Sequence, residues 1–543
     1  MTPRPARRAP QRDKLRWLMV RAARAADDAL HWWARGPYES SVAVTALVVL
    51  ASSLPVFVAC ALFDLVAGGR VAASGESGAD ATALLIAGCA VSAVALGLLR
   101  LCRFERRIGE RQAFTALVIG SFAAVAAVAV AHVATGAVAP TALATAFVEA
   151  AATVTGTNST AISPAELGGG MLALRAVGQW LGGAAFIVVL VRVLPHLGVG
   201  GLDADGGVAT RSARRLAPRS AGTMGRLLLL YGALTVLVAV GYALARMPLA
   251  HAGLHALTTT STGGFSTQAG SLGSYESAAI EWVAIFGMAA AGVSLPLMYL
   301  AIRRREPARF VRSYEFRTYL MLTVGAAALV ALWSGGDFGH EHLRRSLFAV
   351  VSAISTTGFE AASLVGLSSG AVAALLTLMA IGGMGASMAG GFKVVRLLTL
   401  TSYIGRELRR AVHPSLAQRL RLGRSTVSES TMSRIVGELL LAVLLVIPAA
   451  VVLAASGLDV VGALSYGVSA LSTVGPAVGA AGSTEHLASL DGTGRVAAGL
   501  LMLCGRMSVT AALVALSVAL HPAAAAWRRA SRVRRRSMGD MLR

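Results

Sequence analysis

Four short stretches of the chain set Thr or Ser hydroxyls within two residues of a glycine: Thr153-Val154-Thr155-Gly156-Thr157, Thr260-Ser261-Thr262-Gly263-Gly264-Phe265, Ser355-Thr356-Thr357-Gly358-Phe359 and Ser472-Thr473-Val474-Gly475-Pro476. The chemistry these residues offer is coordination, because hydroxyl and carbonyl oxygens can replace the hydration shell of a monovalent cation. Glycine suits backbone that must take conformations a Cβ would obstruct. From Gly156 through Gly264 and Gly358 to Gly475 the spacings are 108, 94 and 117 residues. One Thr-Gly pair would equally mark an ordinary external turn. Four such turns at near-periodic positions predict equivalent segments arranged around one axis.

Two further features bear on the same path. Residues 382–391 hold five glycines, Gly382, Gly383, Gly385, Gly390 and Gly391, with three more small residues. Each Gly costs a helix about 0.8 to 1 kcal/mol relative to Ala, so the stretch predicts a break, although close helix packing also uses small residues. Arg506 interrupts an apolar run, where a central charge is a functional-site hypothesis by default. Pairing with an acid is its structural alternative. Lys393, at the end of the Gly-rich stretch, reads either as facing the path or as a solvated anchor.

Other candidates carry less. His340-Glu341-His342 lacks further ligands and is not HExxH. Gly492-Thr493-Gly494-Arg495-Val496-Ala497 resembles GxGxxA but follows no strand, and no GxxxxGK[ST] is present. Ser387 has no evident His partner. Cys60, Cys89, Cys102 and Cys504 form no CxxC and read as buried small hydrophobes. The triplet Asn158-Ser159-Thr160 matches a glycosylation site at a frequency chance supplies. Glu149, Glu276, Glu341, Glu360 and Glu485 read as external charge, either solvated or concentrating cations near a mouth.

The elements that must position these residues follow from hydropathy. Of 543 residues 55% are apolar and 14% charged, with mean hydropathy +0.67, which excludes an ordinary soluble protein. Ten stretches suit a membrane of ~30 Å hydrocarbon thickness: 41–67, 81–101, 112–134, 170–195, 225–247, 277–302, 317–334, 371–405, 434–456 and 493–520. Segments 1–40, 100–111, 196–226, 303–317, 393–434 and 521–543 carry 41 of the 49 Lys and Arg. This positive-inside bias predicts cytoplasmic termini on both ends and assigns the net charge of +22 to a membrane face rather than to nucleic acid. The first span starts late and is too long for a cleavable signal peptide.

The segments 141–155, 250–262, 343–357 and 460–474 are apolar but too short to cross. The expected architecture is all-α and polytopic: a basic N-terminus (1–40), a two-span unit (41–111), four span–pore-loop–span repeats (112–224, 225–316, 317–433 and 434–520) around a central pore, and a basic tail (521–543). Non-helical backbone at membrane depth is tolerated only when buried in protein or lining a water-filled path.

These residues resemble the Trk/Ktr/HKT superfamily of potassium transporters, and within it the bacterial Trk-type membrane subunit, over roughly 41–520. Besides the four turns, Gln179-Trp180-Leu181-Gly182-Gly183 is similar to a family motif, as are Thr262-Gly263-Gly264-Phe265-Ser266-Thr267, the run Gly382 to Arg396, Val474-Gly475-Pro476 and Gly505-Arg506. Departures are Val154 in the first turn, the missing Asn pair in the fourth, and Ser508 two residues after Arg506.

The resemblance implies K+ uptake through a filter of Thr155, Gly156, Thr262, Gly263, Gly264, Thr357, Gly358, Val474 and Gly475, with either Gly263 or Gly264 as the glycine of repeat two. Gly at all four filter positions resembles K+-selective members, since Ser in the first accompanies Na+ preference in some plant relatives. It further implies a gate of Gly382, Gly383, Gly385, Gly390, Gly391, Lys393 and Arg506, a homodimer, and a cytosolic RCK-type nucleotide-binding regulatory subunit, in a bacterial inner membrane. K+ is the substrate and no cofactor is implied on this chain. Na+ conduction or coupling to Na+ or H+ on the same fold remains open, and a membrane-embedded enzyme is the distant alternative.

Overall fold

The computed structural model describes residues 39–73, 75, 78–102, 110–192, 220–335, 339–362, 367–413, 420–422, 425–477 and 487–507. The segments 196–219 and 521–543, with Glu485 and Ser508, lie outside the described residues, as does nearly all of 1–40.

A two-helix unit, α1 (Glu39–Phe63) and α2 (Ala81–Leu101), opens the described chain. The first repeat follows as α3 (Glu110–Ala134), α4 (Leu143–Thr155) and α5 (Gly169–Arg192). The second is α6 (Ser220–Leu244), α7 (Leu249–Thr260), α8 (Ala278–Ala291) and α9 (Leu295–Arg303). The third is α10 (Tyr314–Ser334), α11 (His340–Ile354), α12 (Ser369–Ile381) and α13 (Val394–Val412). The fourth is α14 (Glu429–Ala455), α15 (Val460–Leu471) and α16 (Gly492–Met507). A two-residue antiparallel ladder, Arg421–Leu422 with Ser425–Thr426, precedes α14.

Seven helices are long and apolar enough to cross a membrane unbroken among the described residues. Two expected single spans are broken instead. The stretch 277–302 is α8 and α9, bent by 98°, where Gly292 ends one helix and Ser294, followed by Pro296 in the first turn, starts the next. The stretch 371–405 is α12 and α13, separated by the Gly-rich residues 382–393.

Local chemistry sets these boundaries. Ser277, Ser313, Ser368, Ser428 and Asp459 each accept a backbone N–H of the following first turn, at the starts of α8, α10, α12, α14 and α15, satisfying donors a helix start leaves orphaned. The start of α5 is held by other elements. Asp64 Oδ1 accepts Gly170 N at 2.9 Å and Asp80 Oδ2 accepts Met171 N at 3.0 Å. Carboxylates here also favour the positive end of the helix dipole, so the two-helix unit is clamped to the first repeat.

The short helices α4, α7, α11 and α15 have 13, 12, 15 and 12 residues, spanning ~20 Å at 1.5 Å per residue and therefore unable to cross. Each packs on the second span of the preceding repeat: α7 on α5, α11 on α8, α15 on α12, and α4 on α16. That last contact closes the ring, with repeats one and three opposite each other.

Candidate functional site

Repeats two, three and four leave their short helices by one route. A right-handed Ser (Ser261, Ser355, Ser472) is followed by a left-handed Thr (Thr262, Thr356, Thr473, each at φ 56°). The next amide donates to the carbonyl five residues back: Gly263 N to Thr258 O (2.8 Å), Thr357 N to Ser352 O (3.0 Å) and Val474 N to Ser469 O (2.9 Å). Glycine then takes positive φ: Gly264 at 70°, Gly358 at 79° and Gly475 at 111°.

In repeat one the matching bond is Thr157 N to Ala152 O at 2.9 Å. Gly156, at φ 68°, therefore fills the slot of Thr262, Thr356 and Thr473, and Asn158 stands where the others place Gly264, Gly358 and Gly475. The expected four-glycine ring is thus corrected. Three glycines and Asn158 come together, Gly156 lies two residues earlier, and in repeat two the ring member is Gly264 rather than Gly263. Thr155 ends α4 and turns its hydroxyl back to Ala151 O at 2.7 Å.

The three glycines admit no side chain. A Cβ on Gly264 would lie 1.8 Å from Thr357 O, on Gly358 2.4 Å from Val474 O, and on Gly475 2.0 Å from Asn158 O. Each strand is thus pressed against the next one round the ring. Asn158 N donates to Val474 O at 3.0 Å and its side-chain Nδ2 to Gly358 O at 2.6 Å.

Buried polar groups fix this backbone from behind. Arg175 pairs with Glu149 at 2.8 Å, both almost wholly buried, and donates to Thr160 Oγ1 and Ser159 O. Ser159 Oγ lies 2.6 Å from Tyr466 Oη. Gln179 Nε2 donates to Thr157 O (3.2 Å) and Gly263 O (3.0 Å), while its Oε1 accepts Phe265 N. Arg344 pairs with Glu281 at 2.7 Å behind α11. Glu149 is therefore neither solvated nor at a mouth. Glu276 and Glu341 are exposed as expected. Among the cysteines, Cys60 and Cys102 are buried, Cys504 is half-buried, and Cys89 departs from expectation by lying exposed.

The Gly-rich residues form a non-helical loop against the helix-end side of this ring. Gly382 turns at φ 74° and Gly391 at φ 73°, and the neck closes where Phe392 N donates to Ala380 O at 2.9 Å. Gly385 N donates to Glu315 Oε1 at 2.5 Å. A Cβ on Gly383 would press on Gly292 O at 2.9 Å, and Met384 N donates to Gly292 O at the α8/α9 break. Thr262 Oγ1 donates to Met388 O at 3.1 Å, and Gly390 N to Thr356 Oγ1 at 2.6 Å. A Cβ on Gly390 would lie 2.1 Å from Ser472 O.

Arg506 Nη1 donates to Met388 O at 3.1 Å. No carboxylate pairs with Arg506 among the described residues, and its Nε and Nη2 are buried without a hydrogen-bond partner there. Its guanidinium stacks 4.8 Å from the Phe186 ring, and Lys393 Nζ lies 5.8 Å from the same ring while donating to Ala389 O. Lys393 is thus folded inward rather than anchored in solvent. All three residues line a mainly apolar cavity of about 280 Å³ beside α14.

The sequence reading missed Asn158 as a ring member, the Glu149–Arg175 pair, the two hydrogen bonds that Gln179 Nε2 donates to Thr157 O and Gly263 O, and Phe186. One signal was available: Arg175 and Arg344 are basic residues outside the positive-inside segments, which calls for acidic partners.

A closed set of four short helices, each turning back at a buried Thr-rich turn between membrane spans, defines a polytopic all-α membrane protein of the pore-loop repeat class. A family-wide sequence profile described as TrkH, cation transport protein, matches residues 90–333 and 338–529. The chain belongs to this family of cation transport proteins. It is 32% identical over 345 residues to the Trk system potassium uptake protein TrkH of Halomonas elongata, covering 62% of this chain and 70% of that one. With the Escherichia coli K12 protein of the same name identity is 30% over 353 residues, covering 63% and 72%. The crystal structure of the potassium transporter TrkH from Vibrio parahaemolyticus shares the fold, with a TM-score of 0.78 at 24% identity over 88% of this chain and 98% of that one. These relatives are transporters, not enzymes.

Proposed function

We propose that the chain conducts K+ into the cell down its electrochemical gradient through the strands 157–159, 263–265, 357–359 and 474–476. Their carbonyl oxygens would replace water around the ion. The loop 382–393 with Lys393 and Arg506 is the gate. The observation that carries this reading is the close approach of four strand segments at one ring, in a family whose named relatives take up potassium. The repeats run 112–224, 225–316, 317–433 and 434–520, with both termini cytoplasmic in a bacterial inner membrane. The assembly is a homodimer regulated by a cytosolic nucleotide-binding subunit.

The test is growth of a bacterium stripped of its own K+ uptake systems. The chain should restore growth at limiting K+, and a folded, membrane-inserted protein that restores none would refute the reading. One observation favours a second reading, Na+ conduction on the same fold: Asn158 breaks the glycine set of the ring, and in the family resembled a departure from glycine in the first filter, to Ser, accompanies Na+ preference in some plant relatives. Rescue that depends on added Na+, or sensitivity to it, separates the two.

A further inference from the structure

The ring is not fourfold in chemistry. Three of its members are glycines with positive φ, while Asn158 keeps its φ outside the left-handed region and carries a half-buried side chain. That side chain does not turn back onto its own strand. Its Nδ2 donates to Gly358 O at 2.6 Å, and Gly358 belongs to repeat three, which the cyclic packing of α7 on α5, α11 on α8, α15 on α12 and α4 on α16 sets diagonally opposite repeat one. Its Cβ would be 2.9 Å from a Cβ on Gly264 and 3.0 Å from one on Gly358, so the amide lies across the ring rather than behind it. Nitrogen faces Gly358 O because the alternative flip would set two acceptors against each other.

Resting on the K+ pathway proposed above, we infer that Asn158 is a latch across that pathway and a determinant of its flux and ion preference. The Nδ2–H group engages the Gly358 carbonyl that a cation would otherwise use, and presents the positive end of an amide dipole where a cation needs oxygen. Passage requires the Asn158–Gly358 bond to break. Once it does, a half-turn of the amide offers Oδ1 as a further ligand, a contribution glycine lacks. The backbone bond from Asn158 N to Val474 O needs no side chain, so removing the amide leaves the strand tied to its neighbour.

Asn158→Gly and Asn158→Ser, too short to reach Gly358, test this in proteoliposomes by 86Rb+ uptake normalised to monodisperse protein. Both should raise uptake by about 3- to 10-fold, the factor one hydrogen bond is ordinarily worth, and both should change the ratio by which K+ and Na+ compete. Wild-type uptake with unchanged or lower values in both variants, at normal yield and unchanged competition, overturns the latch and leaves the K+ pathway standing. No uptake of any monovalent cation by the wild type or either variant overturns the pathway itself. Should one variant fail to fold, the other decides.

Discussion

Asn158 and Gly156 show how a residue-level reading can be right in chemistry and wrong in register. Thr-Gly stands in the first three turns and Thr-Val-Gly in the fourth, and matching the glycines puts Gly156 in the ring. Backbone bonding shows that the left-handed slot after the helix, filled by Thr in three repeats, is filled by Gly156 in the first. That register is invisible in a string of residue types. The triplet Asn158-Ser159-Thr160 was legible only as a chance glycosylation match. Behind the ring, Glu149 and Arg175 form a buried pair whose rupture strands a charge, at about 3–5 kcal/mol. Arg175→Met should therefore lower thermal stability and folded yield sharply, and a melting temperature within about 1 °C of wild type would argue against the buttress; a shift of ~2–4 °C per kcal/mol is ordinary at larger sizes. Gly358→Ser should reduce K+ over Na+ preference with insertion retained, because its Cβ would crowd Val474 O at 2.4 Å. Competition assays on membranes with matched protein levels check it.

Among elements, spans were legible wherever lipid dictates composition, and the Gly-rich break was legible because five glycines in ten positions defeat a helix. The break between α8 and α9 was not. Gly292-Val293-Ser294-Leu295-Pro296 holds a stop, a cap and an N-terminal Pro, yet mean hydropathy over the stretch conceals them. The loop 382–393 sits on the α8/α9 break and against the turns of repeats two, three and four, a position suited to blocking the path. Two unit charges ~4 Å apart repel by ~4 kcal/mol at an effective dielectric of 20, worth roughly three decades in rate at ~1.4 kcal/mol per tenfold, and less where water screens. Arg506→Ala and deletion of 385–388 should each raise basal Rb+ flux per folded molecule. Gly390→Ala should do so too, by pushing the loop off Ser472. Unaltered normalised flux in all three would remove the gate assignment.

At the scale of the whole molecule, the fold class came from hydropathy and span length and the four-repeat plan from the spacing of the turns, whereas ring closure by α4 on α16 depends on contacts between residues some 350 positions apart. The basic faces at α9 and α13 present exposed Arg304, Arg305, Arg409 and Arg410. They suit an acidic cytosolic ring as well as anionic lipid, which offers on the order of 1 kcal/mol per basic residue. Charge reversal at these four positions should abolish capture of the proposed nucleotide-binding subunit, and capture that persists would remove the docking claim for that face. The measurement that bears most directly on the central claim is 86Rb+ uptake by the purified chain in proteoliposomes under an inside-negative potential, with K+ or Na+ as competitor. Uptake should exceed that of empty vesicles and be suppressed by K+ at concentrations where Na+ has little effect. Folded, correctly inserted protein that gives no uptake above empty vesicles would contradict it.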